Sequence, residues 1–211
     1  LQKTDLLSYE RSLLDAGYKY ICGVDEVGRG PLAGPVTCCA VIMDLERIIE
    51  GVNDSKKLSG EMRAKLYPRL LDCAVAASTA SLDNVTIDQI NILNATRECM
   101  KKAVLGLPAT PDIVLVDALQ LDLPCKTFAI IHGDALSYSI AAASIIAKVE
   151  RDTFMCGISA EFPEYGFERN KGYGTAEHID ALQKYGPTPY HRKSFIKNIA
   201  IYQGTTSTVL P

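Results

Sequence analysis

Two β-rich runs, "KYICGVDEV" starting at Lys19 and "GPVTCCAVIM" ending at Met43, stand either side of the turn "GRGPLA". Apolar runs broken by a Gly- and Pro-rich turn predict a β-hairpin, and a hairpin this early commits the chain to a sheet. "CAVAASTAS" reads as a third strand, while "PDIVLVDA" and "CKTFAIIHGD" are short buried runs of the kind found in parallel sheets. Helical spacing occupies the intervals. A leading helix is expected within residues 1–17, with Thr4 as its cap and Gly17 as its stop. Ser59 can cap "GEMRAKLYPRLLD", which Pro68 must kink or divide. "NVTIDQINILNATRECMKKAVLGL" follows as one helical run, and a long Ala-rich helix from "ALSYS" to "ISAEF" is ended by Pro163. From 163 to 211 the sequence mixes Gly, Pro, aromatic and basic residues around one short helix. Three early strands, then two interleaved with helices, describe a mixed α/β sheet in one domain spanning 1–211.

Composition narrows the class. With 211 residues, 47% hydrophobic and 22% charged, the chain can bury a core of its own. No run reaches the roughly 18 apolar residues a membrane helix needs, so a soluble, cytoplasmic protein is expected. Seven cysteines without a CxxC pair, mostly inside apolar runs, fit reduced packing residues. Leu1 in place of a methionine suggests a trimmed chain, and no basic-then-apolar leader follows it. A net charge of −3 argues against indiscriminate nucleic-acid coating. The C-terminal part is locally positive nonetheless: from Ala181 onward there is no Asp or Glu, while Lys184, His191, Arg192, Lys193 and Lys197 are present.

The acidic residues carry the chemistry. Asp25 and Glu26 lie at the end of the first strand, where neighbouring side chains point to opposite faces, so both can serve one site only if the chain bends, as Gly28 and Gly30 allow. Asp117 ends "IVLVD" and Asp134 follows "FAIIHGD", each at the carboxyl end of an expected strand, where open α/β sheets place ligands. Carboxylates gathered at one edge need a cation, and oxygen-only ligation points to Mg²⁺ or Mn²⁺ rather than zinc. Two ions about 4 Å apart would suit phosphodiester hydrolysis. The competing reading, that Asp117 and Asp134 only cap the helices after them, is left open by spacing.

These residues fall within motifs that run in order through most of the chain: "GVDEVGRGPLAGPV", "NDSKKLS", "INILNAT", "VLVDA", "GDALSYSIAAASIIAKVERD", "YGFERNKGYGTAEH" and "HRKSF". In this series the chain resembles bacterial ribonuclease HII, of the ribonuclease H superfamily. The resemblance implies a mixed five-stranded sheet flanked by helices, with a helical C-terminal extension that binds substrate. It implies a metal-dependent endonuclease that cuts the RNA strand of RNA–DNA hybrids and incises duplex DNA on the 5′ side of embedded ribonucleotides, leaving 3′-hydroxyl and 5′-phosphate ends. The family's metal-binding acids fall on Asp25, Glu26, Asp117 and Asp134. Its Gly-Arg-Gly element falls on Gly28, Arg29 and Gly30, whose backbone is expected at the ribonucleotide's 2′-hydroxyl, the group that tells RNA from DNA, with Arg29 on a neighbouring phosphate. Tyr173 corresponds to the tyrosine that packs on the sugar following the ribonucleotide.

Lys56, Lys57, Arg192 and Lys193 are expected phosphate contacts, which position a duplex without reading its sequence. Ser144 and Lys148, one helical turn apart, can reach the substrate from their packing helix. Asp152 is expected to pair with Arg151 or another base, and His132, where the family often has a basic residue, to be a local surface residue or a support behind the acids rather than a general base. Many Gram-positive members carry a longer N-terminal segment than this chain. The resemblance further implies a monomer acting on nucleic acid rather than at a membrane, with a sliding clamp as a candidate partner. The tail at 203–211 is polar enough to be disordered. Ribonuclease HIII shares the acids but usually lacks the counterparts of Arg29 and Tyr173. A noncatalytic hybrid-binding module would not need the acid cluster. No GxxxxGK[ST] loop is present, and the prolines of "GRGPLAG" break the helix that a dinucleotide fold requires there.

Overall fold

The computed structural model describes residues 5–199. Five strands form one sheet in the order β3-β2-β1-β4-β5, namely β1 (Ile21–Val27), β2 (Val36–Met43), β3 (Ala74–Leu82), β4 (Ile113–Asp117) and β5 (Lys126–Ile130). The expected hairpin is there: β1 and β2 pair antiparallel, Cys22 opposite Ile42 through Val27 opposite Thr37. β2 and β3 continue antiparallel, while β1–β4 and β4–β5 are parallel. The mixed sheet follows from connectivity. A short turn joins β1 to β2, whereas β3 reaches β4 through the helices α3 (Asn84–Ile90) and α4 (Ile92–Leu105).

β1 and β2 are buried on both faces. Cys22, Val24, Cys38 and Ala40 pack toward α4 with Cys99, Met100 and Ala103. Cys39 and Val41 pack on the other face against Ala142, Ile145 and Ile146 of the 22-residue helix α5 (Tyr138–Ser159) and against α2 (Gly60–Cys73). The small residues of α5 let its backbone approach the sheet. At the closest point a Cβ on Gly23 would lie 2.1 Å from the carbonyl carbon of Ser139. Gly23→Ala therefore forces two backbones apart and is expected to cost about 3 kcal/mol, the upper end for overpacking, read as a fall in the urea midpoint without a change of slope.

Several local expectations hold and others change. Ser59 caps α2 by accepting from the Met62 N–H, and Pro68 does not divide the helix. The long run after β3 is two helices. Asn91 takes a left-handed φ of 64° between them, and its side chain accepts from the Asn94 N–H to start α4. β5 is not a buried strand: it is the outer parallel strand, with Phe128 half exposed. α5 begins at a Ser137 cap and stops at Ser159, four residues before Pro163. α1 (Ser8–Asp15) starts later than expected and ends before Gly17, with φ at 91°. The expected Thr4 cap and the 203–211 tail lie outside the described residues. No described helix is long and apolar enough to cross a membrane.

The C-terminal region is more helical than expected. A 3₁₀ turn (Pro163–Tyr165) leads to α6 (Phe167–Asn170), α7 (Ala176–Tyr185, capped by Thr175) and α8 (Lys193–Ile196). Tyr165, Phe167, Leu182 and Ile196 form a cluster that closes on Met155 of α5 and on Ala33 of the β1–β2 turn. That packing sets the C-terminal loops beside the turn carrying Gly28, Arg29 and Gly30.

Candidate metal and nucleic-acid site

Asp25, Glu26 and Asp117 meet, each offering a carboxylate oxygen within 4.8 Å of the others. No bend of β1 is needed. The ladder to β2 runs through Asp25, Glu26 and Val27, whereas the ladder to β4 stops at Val24 opposite Val116. Asp25 shares the α5 face with Gly23, and Glu26 shares the α4 face with Val24. Past the end of that ladder the two side chains meet Asp117, the last residue of β4.

Burial raises the pKa of all three acids. Asp25 is pushed well up by burial and by repulsion from Glu26 and Asp117, against the Ser144 hydroxyl and the Glu26 N–H, which favour its charge. In Glu26 burial outweighs the neighbouring Arg29, whose Nη1 is 3.4 Å from Oε1. Asp117 is raised by burial although its Oδ1 accepts the Gly133 N–H at 2.7 Å. Asp134 does not end a strand. It lies in a 3₁₀ turn (Gly133–Ala135) beyond β5, next to Asp117 but outside the tight group of three. The Lys56 ammonium donates to its Oδ2 at 3.0 Å. Burial works against the charge of Lys56, but Asp134, together with Asp25 and Asp54, outweighs it and the lysine's pKa rises. Capping of α5 falls to Ser137, so Asp134 is not that helix's cap.

The three acids fit a hard divalent cation. They offer only oxygen, and Glu26 Oε2 is buried with no hydrogen-bond partner. Buried like charges close together are costly without a counter-ion.

The other expected site residues divide. Lys57 is exposed, 3.7 Å from Asp54. Ser144 is buried beneath the acids, 2.7 Å from Ser55 Oγ. Lys148 pairs with Asp152 at 2.7 Å and Arg63 approaches its other oxygen at 4.0 Å, so the acid's bases are these two rather than Arg151. Lys193 uses its backbone N–H on Asp88. His132 caps the 3₁₀ turn in a left-handed conformation and weakly favours the charge of Asp117. Arg192 corrects an expectation. Fully buried, it cannot meet a phosphate, and its guanidinium donates to the carbonyls of Gly28 at 2.6 Å, Arg29 at 3.0 Å and Gly34 at 2.9 Å. With His191 also buried, the exposed positive groups of the described segment 181–199 reduce to Lys184, Lys193 and Lys197.

Arg151 repeats the device, which the sequence did not reveal. It donates to Pro35, Lys171 and Ala33 carbonyls at 2.8, 2.9 and 3.1 Å. Two buried guanidiniums thus hold the carbonyls of the β1–β2 turn and tie it to the loop before Tyr173. Burial lowers both, Arg151 to about 10 and Arg192 to about 9, the second with help from the first. Gly28 has φ at 94°, and a Cβ there would lie 2.3 Å from Arg151 Nε. Gly30 is different: a Cβ would find only Tyr173 Cε1, at an ordinary 3.6 Å. The Tyr173 ring, 42% exposed, stands over it.

Mixed sheet order, acids at adjacent strand ends and an exposed turn beside them define a ribonuclease H-like hydrolase. The sequence profile of ribonuclease HII matches residues 22–198. Ribonuclease HII of Caldicellulosiruptor bescii is 56% identical over 191 residues, 90% of this chain and 93% of that protein. The ribonuclease H2 structure from Pyrococcus horikoshii OT3 superposes with a TM-score of 0.72 at 26% identity, covering 86% of this chain and 97% of that one. The RNase HII of Archaeoglobus fulgidus, solved as a complex with PCNA, shares the fold with a TM-score of 0.73 at 24% identity, over 88% and 98% of the two chains. The chain belongs to the ribonuclease HII family. It is an endoribonuclease that cleaves RNA in RNA–DNA hybrids and serves ribonucleotide excision.

Proposed function

We propose that Asp25, Glu26, Asp117 and Asp134 hold two Mg²⁺ or Mn²⁺ ions, and that Gly28, Arg29, Gly30 and Tyr173 choose the phosphodiester to be cut. The observation that carries this is the convergence of three carboxylates, Asp25 buried and Glu26 and Asp117 half-buried, with one Glu26 oxygen buried and unpartnered. The chemistry such ions supply when bound is activation of water and stabilisation of the leaving oxygen. The chain's own residues do the rest. Asp25 and Glu26 are fixed by the β2 ladder, and the Gly133 N–H orients Asp117. Lys56 holds Asp134 and can turn to a substrate phosphate, since its side chain is largely exposed. Arg29 is exposed enough to do the same, while Lys57 and Lys193 extend the contact along a duplex.

Selection of the site rests on the turn and the tyrosine. Nothing in the fold requires glycine at position 30, so the missing side chain leaves room for a sugar to approach the backbone. Tyr173 offers its ring to the deoxyribose that follows. Gly30→Ala is expected to leave the urea midpoint within about 0.5 kcal/mol of the parent, as a surface change does. Cleavage at a lone ribonucleotide should meanwhile fall by at least about tenfold, equivalent to 1.4 kcal/mol. Equal activity in the variant would remove Gly30 from the site.

Duplex DNA with one ribonucleotide, incubated with Mg²⁺, Mn²⁺ or chelator, tests the whole reading. A cut on the 5′ side of the ribonucleotide with either ion and none with chelator is expected. Cleavage that survives chelation would overturn the metal assignment.

A further inference from the structure

Beneath Tyr173 lies a buried pair that neither the acids nor the turn uses. His178 on α7 and His191, just before α8, are 0% and 2% exposed, with their Nε2 atoms 3.0 Å apart. The proton positions follow from the partners. The Thr188 backbone N–H can only donate, and it meets His191 Nδ1 at 2.9 Å, so that nitrogen accepts. His191 therefore carries its proton on Nε2 and donates to His178 Nε2. His178 must then be protonated on Nδ1, which faces the Tyr173 carbonyl at 2.9 Å. Each link fixes the next, and the chain of bonds works only with both rings neutral. Burial lowers the pKa of both, that of His191 to about 4 with help from His178. The rings are further enclosed by Tyr165 and Phe167.

The two ends of this relay are the two parts of the selection site. At one end is the backbone of Tyr173, whose carbonyl also accepts the Thr175 N–H at 2.8 Å. At the other, His191 is followed by Arg192, which holds the carbonyls of Gly28 and Arg29. The strand-like contact of His191 with Ala33 and the bond from Arg192 N–H to the Leu32 carbonyl add backbone links to the same turn.

We infer that His178 and His191 are positioning residues for substrate selection: their hydrogen-bond relay sets Tyr173 against the Gly28–Gly30 turn and so tunes preference for a ribonucleotide followed by DNA. The inference rests on the reading of Tyr173 given above. A continuous RNA strand presents a ribose where Tyr173 awaits a deoxyribose, so a displaced Tyr173 harms cleavage of a lone ribonucleotide more than that of a continuous hybrid.

The test is the ratio of kcat/KM for a lone ribonucleotide in duplex DNA to that for a continuous RNA–DNA hybrid. His178→Phe keeps a ring but loses the donor to Tyr173. His178→Asn places an amide N–H near the former Nδ1 and keeps that donor, while both variants leave His191 Nε2 without its acceptor. Both should therefore lose similar thermal stability. The ratio should fall by about tenfold or more in the Phe variant, the worth of one buried hydrogen bond, and stay within about threefold of the parent in the Asn variant. An equal fall in both variants, or none in either, overturns the inference. Tyr173→Ala, measured alongside, separates the two ideas: an unchanged ratio there defeats the reading of Tyr173 itself, whereas a fall there with none for His178→Phe defeats only the relay. Nitrogen-15 correlation spectra of the parent protein, which need no variant to fold, should show His178 protonated on Nδ1 and His191 on Nε2. The reversed tautomers would overturn the relay.

Discussion

Asp25→Asn is expected to lower cleavage by at least about 10³-fold, the loss of roughly 4 kcal/mol of metal-dependent stabilisation, while making the metal-free protein more stable. The two effects have one cause. Asp25 is buried against Glu26 and Asp117, and its pKa is raised well above that of a free carboxyl. A carboxyl with a raised folded-state pKa holds its proton in the native state after the unfolded chain has released its own. Stability of the metal-free protein therefore falls as pH climbs from about 4, the unfolded value, through the raised folded value, and the cost is fully present above it. Asparagine has no proton to lose, so the variant should show a flatter profile across that window and a higher Tm at neutral pH. Adding Mn²⁺ reverses the ranking. An ion bound only by the native state stabilises the parent by about 2.7 kcal/mol at one hundred times its Kd, a gain the variant should largely forfeit. Parallel melting curves with Mn²⁺ and with chelator measure this. Equal Mn²⁺ stabilisation of both proteins, or cleavage by the variant at the parent rate, would remove Asp25 from the metal site.

Three of these acids could be located from the chain alone because the signal is local. Asp25 and Glu26 close the first apolar run, Asp117 closes "IVLVD", and the ends of strands in such sheets face a common edge. How Asp25 and Glu26 share that edge was not legible. It depends on the β1–β4 pairing ending at Val24 and Val116, one residue before Asp25, which is a property of two segments far apart in sequence. Asp134 was found by its apolar run, yet its true support is a 3₁₀ turn and the ammonium of Lys56. The break at Asn91 escaped because apolar spacing continues in phase from α3 into α4, and only the left-handed residue between them divides the run. The arginines were harder still. A basic residue in "HRKSF" or "VERD" is ordinarily solvated, and nothing local tells that carbonyls from the β1–β2 turn enclose it.

That enclosure makes Arg192 the residue whose loss should cost the most stability among those at the site. Its guanidinium fills a fully buried space and satisfies the carbonyls of Gly28, Arg29 and Gly34, and it also lies 5.1 Å from the centre of the Phe195 ring. Methionine would fill much of the volume with no donor, and each carbonyl left dry costs about 1–3 kcal/mol. Water can reach part of the vacated space, so Arg192→Met is expected to lose about 3–5 kcal/mol in equilibrium urea unfolding, comparable to removing one partner from a buried ionic contact. Lysine retains the charge but has a single nitrogen in place of a planar fork, so Arg192→Lys should recover less than half of that loss. Cleavage at a lone ribonucleotide should fall in both variants under conditions where each remains folded, because the turn carrying Gly28 and Arg29 is no longer held. A direct phosphate contact predicts a different pattern: near-parent stability for Arg192→Met, and a salt dependence of binding shallower by about one counter-ion. Unchanged stability together with that shallower slope would return Arg192 to the duplex surface, whereas a large stability loss with the slope unchanged in Arg192→Met keeps it inside the protein as the clamp on the turn.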